Sequence, residues 1–182
     1  MTFRFQFVCC LLVVLLSAAV VQGQVINSGA QTITLNATLT ESLSVNLSSN
    51  SVDFTLTAGS ATNAASGGVT ATTTWIAHPG RNLSVLAYFA SSTSAMTDGF
   101  GNDIPSADIS ISDNAGGYAP LTNTVAFGGA SAGLQLFALK ITGTNKNGSH
   151  VDNMLFNLDL STIPQLPAGT YTGTLNIQAQ VI

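Results

Sequence analysis

Cysteine is nearly absent: the two that occur, Cys9 and Cys10, are adjacent and lie inside the first apolar run. The rest of the chain therefore has no disulfide, no thiolate nucleophile and no cysteine ligand for zinc. Positive charge is as scarce. Beyond position 23 only Arg81, Lys140 and Lys146 stand against eight acids, so no basic patch exists to hold nucleic-acid phosphates. Glu41 is the sole glutamate. With so few lysines as well, the residues that make good exposed helix surfaces are missing. Only 7% of the chain is charged, whereas 46% is hydrophobic, the reverse of the balance that keeps a segment disordered.

The longest apolar run comes first. Arg4 precedes an unbroken stretch from Phe7 to Leu16, followed by Ser17-Ala18-Ala19. A charged start, an apolar middle and a small-residue exit read as a signal peptide. Val21-Gln22-Gly23 fits the cleavage site, giving a leader over 1–23 and a mature chain starting at Gln24. The run is shorter than the roughly 20 residues a spanning helix wants, and no later stretch approaches that length. No lipid-anchor pattern precedes either cysteine. The expectation is a secreted, periplasmic or cell-surface protein without a membrane span once the leader is gone. Residues 24–182 are then one domain, large enough to bury about two-thirds of its unfolded surface. Residues 24–30 read as a loose N-terminal arm. Neither a linker nor a repeat of constant period divides the rest.

What is abundant is Ser and Thr, 39 of the 159 residues after position 23, interleaved with apolar residues at period two. Ile33, Leu35, Ala37 and Leu39 alternate with Thr and Asn. Leu43, Val45 and Leu47 follow, then Val52, Phe54 and Leu56. The series from Val69 to Ala77, from Leu83 to Phe89, from Met154 to Leu160 and from Tyr171 to Val181 repeat the pattern. Residues 134–141 are apolar on both faces and predict a central buried strand. Weaker strands are expected over 107–111 and 122–127. Clusters of Gly, Pro, Asn and Asp punctuate them. Nine or ten short strands with such turns predict an all-β fold, an antiparallel immunoglobulin-like β-sandwich.

The chemical motifs are sparse. Gly129-Ala130-Ser131-Ala132-Gly133 matches the nucleophile-elbow pattern, but that device needs a helix after the serine, and Leu134 opens a strand. Asp98-Gly99-Phe100-Gly101-Asn102-Asp103 resembles one copy of a calcium-binding glycine repeat, whose chemistry requires stacked copies. An Asx-type turn accounts for it as well. His78 and His150 lie far apart in sequence. The sequons at Asn36, Asn46, Asn82 and Asn147 are what this composition yields by chance. Neither a catalytic set nor a cofactor or metal site is expected. Trp75 falls on an apolar series and reads as core, whereas Tyr118, with Asp113 and Asn114 close by, forms a candidate ligand loop suited to glycans.

The last 16 residues carry the most information. Pro167-Ala168-Gly169 is a turn, Tyr171 follows, and Leu175, Ile177, Ala179 and Val181 alternate to the end. This resembles the final strand of fimbrial subunits of the chaperone–usher kind and of the spore-coat-U-like secreted domains. Gly169 holds the fourteenth position from the end, where fimbrial subunits commonly place a glycine. Val181 stands where an aromatic is usual, and the cysteine pair of many such subunits is missing. The resemblance implies a non-enzymatic structural or surface-assembly subunit. Its partners would be further copies or related surface subunits, with a periplasmic chaperone. It also implies a sandwich lacking one strand, which a neighbour's N-terminal arm completes by strand addition. Ile33, Leu35, Ala37 and Leu39 would be the donated side chains. Alternatively that segment pairs within its own chain. An extracellular adhesin for glycans or a protein partner is the competing function.

Overall fold

The computed structural model describes residues 28–182. The expected leader, its cleavage point and residues 24–27 lie outside them. Residues 28–38 belong to a unit separate from the body, Leu39–Ile182.

The body holds eleven strands: β1 (Ser42–Leu47), β2 (Asn63–Ala64), β3 (Val69–Ile76), β4 (Asn82–Tyr88), β5 (Met96–Thr97), β6 (Asp103–Ile104), β7 (Ile109–Asp113), β8 (Ala119–Pro120), β9 (Gly133–Lys140), β10 (Asn147–Leu158) and β11 (Asn176–Val181). A single 3-10 turn, Ser106–Asp108, precedes β7. One sheet runs β1-β3-β10-β7-β8, with β2 beside β10, and a second runs β11-β4-β9. β5 and β6 form a separate hairpin. All pairings are antiparallel.

The inner faces of the two sheets meet in one apolar core, as in a β-sandwich. Val69 and Ala71 of β3, Ile109 and Ile111 of β7, and Met154, Phe156 and Leu158 of β10 pack with Ala87 of β4. A smaller cluster of Trp75, Ala77, Leu83 and Ile141 closes one end. The period-two reading explains this burial: β3 alternates buried Val69, Ala71, Thr73 and Trp75 with Thr70, Thr72 and Thr74 turned to the outer side. Trp75 is core, and its indole N–H donates to the Asn145 carbonyl at 3.0 Å.

Five expectations need correction. The strands number eleven rather than nine or ten, because β2, β5, β6 and β8 are two-residue pairings too short to show an alternation. Residues 134–141 do not form a central strand: β9 is the edge of the smaller sheet, half-exposed along its length. Leu134 and Leu136 pack on the main core and Phe137 and Leu139 on the smaller cluster; a bulge opposite Val85 and Leu86 shifts the alternation by one residue, so a single buried face reads as two. Residues 122–127 make one isolated bridge, Asn123 to Gly133, rather than a strand. The terminal series is split, because Thr172 pairs with Thr97 of the β5–β6 hairpin and regular pairing with β4 begins only at Asn176. Finally, β10 starts seven residues earlier than the apolar series, at Asn147. His150 and Asp152 break the apolar pattern there while still facing inward.

Candidate functional site

β11 of the smaller sheet and β1 of the larger each have an unpaired outer side, as does β9 at the opposite edge of the smaller sheet. Asn82 and Ile182 exchange both backbone hydrogen bonds, so in β11 the even-numbered residues bond β4, and Ile177, Ala179 and Val181 turn their N–H and C=O groups to the free edge. β1 is the counterpart. Ser48 N–H bonds the Thr70 carbonyl, which leaves Leu43, Val45 and Leu47 facing away from β3. Near Leu43 and Val181 both edges pack on the same small core cluster. Beyond Leu47 and Ile177 a cleft opens.

The cleft has a volume of about 820 Å³. Residues 49–54 line one wall and residues 166–173, with Leu175 and Ile177, line the other. The floor is core: Val69, Phe89, Ile109, Met154, Phe156 and Leu160. Val52, Phe54, Leu166, Leu175 and Ile177 pack on that core while staying partly exposed. The walls are pinned rather than sheet-bonded. Phe54 bridges Ala65. Thr172 exchanges two 2.9 Å bonds with Thr97. Apolar side chains on two walls, free backbone edges beside them and a core floor make an open apolar groove bordered by unpaired strand edges.

Tyr171 is the buried post of the second wall. Its hydroxyl donates to the Pro167 carbonyl at 2.8 Å, and burial, then the nearby Asp98 carboxylate, pushes its phenol upward. Gly169 is not tightly packed: a Cβ there would meet nothing closer than 3.8 Å. The glycine that the wall requires is Gly173, where a Cβ would lie 2.2 Å from the Ala95 carbonyl and 2.8 Å from Met96. Gly173→Ala is expected to push this wall off the hairpin and lower stability by about 1–3 kcal/mol, as overpacking does; thermal unfolding checks it.

The candidate strand residues of the arm form no strand. Residues 28–41 carry no regular secondary structure, and Ile33, Leu35 and Leu39 are 85%, 90% and 78% exposed. Ala37 is exposed as well.

The candidate ligand loop is braced by its own polar groups. Asn114 sits at φ 48° and Ala115 at φ 60°. The Asn114 amide donates to the Val151 carbonyl at 3.2 Å, and its oxygen accepts from the Asn153 backbone and side chain. Tyr118 is half-exposed, at 51%. The Asp98 carboxylate is used locally, accepting from Phe100 N–H, Asn102 N–H and the Asn102 amide. The Asn102 amide bond, above all, holds that carboxyl below its ordinary range. Ser131 lies at φ 56° in a turn that runs directly into β9. Among the described residues, no three His, Cys, Asp or Glu side chains are placed to hold a metal ion.

No family model, no curated protein and no solved structure matches this chain.

Proposed function

We propose that the chain is an exported, non-enzymatic assembly subunit: an immunoglobulin-like sandwich short of one strand, built to receive an extended segment from another copy at the cell surface. The observation that carries this reading is the cleft, whose floor is the core itself and whose walls end in free strand edges. The resemblance of the terminal strand to fimbrial subunits supports it.

The donated segment in this reading is 33–39. It has seven residues, as many as the stretch from Tyr171 to Ile177 it would lie beside, and alternates Ile33, Leu35, Ala37 and Leu39 with Thr and Asn. One face would enter the cleft and the other would stay wet. Because an arm fits another copy's cleft rather than a like surface, the contact is heterologous and propagates as a fibre. Residues 28–40 carry no charge, so assembly is expected to change little between low and high salt, unlike a charge-steered contact; sedimentation across a salt series checks this.

The deciding experiment is size-exclusion and electron microscopy of the exported protein. Fibres or ladders of multimers support the reading. A stable monomer that ignores an added peptide of residues 31–40 overturns it. Intact-mass measurement tests export: the reading expects a chain starting at Gln24, and a mass retaining 1–23 contradicts it.

A further inference from the structure

β10 carries polar residues where its inner face should be apolar. His150 and Asp152 share the side of Met154 and Phe156, and Asp152 is 0% exposed. His150 Nε2 lies 3.0 Å from Asp152 Oδ1. The imidazole stacks on Phe137 of β9, with ring centroids 3.6 Å apart and planes 10° from parallel. That stack joins the two sheets. Asp152 Oδ2 has no hydrogen-bond partner, and neither has Oδ1 of Asp113 on the adjacent strand β7. Asp113 lies opposite Met154 in the β7–β10 register, and Asp152, two residues along β10, shares that face, so the two carboxyl groups are diagonal cross-strand neighbours. Two ionised carboxylates only accept and cannot satisfy each other. One proton between them turns a repulsion into a hydrogen bond and pairs both orphan oxygens at once.

We propose that Asp113 and Asp152 share one proton between β7 and β10, and that this acid pair, linked through His150 to Phe137, is a latch between the sheets that holds in acid and loosens as pH rises. The groups facing it are few. β10 supplies His150, β7 supplies Asp113, whose Oδ2 accepts from the Asn114 amide at 3.3 Å, β3 supplies the buried, unpartnered Thr73 hydroxyl, and β9 supplies uncharged Phe137. Burial raises the Asp152 carboxyl; His150 opposes this, and Asp113 adds to it. A folded-state pKa above the unfolded value of about 3.9 contributes stability that is full below that value and is lost as pH rises through the folded one.

The test is thermal unfolding of the exported protein from about pH 4 to about pH 8.5, with infrared spectra of the carboxyl region. The wild type should lose several degrees of Tm toward high pH. Asp152→Asn, whose amide donates to Asp113 without titrating, should lose that slope. An unchanged slope in Asp152→Asn overturns the proposal. Should that variant fail to fold, Asp113→Asn decides. The wild type must show a protonated-carboxyl band at mildly acidic pH, above the range of exposed carboxyls, and Asp113→Asn must remove it. A band that is absent from the wild type, or that persists in the variant, overturns the proposal. So does a wild-type Tm that drops on adding a chelator, because a cation would then bridge the pair.

Discussion

Leu35→Asp is expected to abolish self-assembly while leaving the body folded. Leu35 is 90% exposed in a segment without secondary structure, so a charge there costs the free subunit little, as surface changes do. In the cleft of another copy the same carboxylate would meet Met154, Phe156 and Leu160, with no cation among the lining residues. Burying an unpaired charge costs several kcal/mol, enough to remove strand uptake. The complementary measurement adds a synthetic peptide of residues 31–40 to protein lacking that segment. At 100 times its dissociation constant it should stabilise the body by about 2.7 kcal/mol, and the same peptide with Leu35→Asp should not. Leu35→Asp protein that unfolds as a monomer would show that the segment completes the sandwich of its own chain.

The second large effect lies beneath the cleft. Leu158 is 0% exposed on β10, where it pairs with Ile109 of β7 and Asn63 of β2. Leu158→Ala is expected to destabilise the body by about 2–5 kcal/mol, the range for buried leucines whose cavity cannot collapse; urea unfolding measures it. Ile177→Ala should behave differently. Ile177 lines the open cleft and is only partly buried, so its loss should cost the free subunit much less. It should instead weaken capture of the 31–40 peptide. Similar losses at Leu158 and Ile177 in the free subunit would mean that the cleft is already closed in solution.

The strands were legible where one face is apolar and the other is Ser, Thr or Asn. Leu43, Val45 and Leu47 of β1, the Val69 to Trp75 series of β3 and the Leu83 to Ala87 series of β4 emerge in the expected register, because a half-buried strand imposes that alternation. β10 was legible only in its second half, since His150 and Asp152 put polar groups on the inner face and pair with each other there. β9 looks apolar on both faces in sequence because a bulge opposite Val85 and Leu86 shifts its alternation by one residue, placing Leu134 and Phe137 on the same buried side. The cleft itself had no signature. In the proposed reading, a vacant strand position leaves the neighbouring strands with the pattern they would have beside a filled one, and residues 33–39 show the same alternation whichever chain they pair with. Gly169 is marked only by its position from the end, whereas in this wall Gly173 is the glycine that close packing requires, through the approach of Ala95.

Pairing between copies can be read directly by disulfide trapping. Protein lacking residues 1–23 has no cysteine of its own, so each introduced thiol reports one contact. Single variants at Ile33, Leu35, Ala37 or Leu39 would be mixed with a second protein carrying Ile177→Cys or Val52→Cys, then oxidised gently. A disulfide forms only where Cα atoms come within about 7 Å. The account predicts cross-linked dimers from mixtures of arm and cleft variants, strongest for one register, and none between two arm variants. Cross-links that form only when both cysteines are in the same chain, or no cross-link in any mixture, would contradict it.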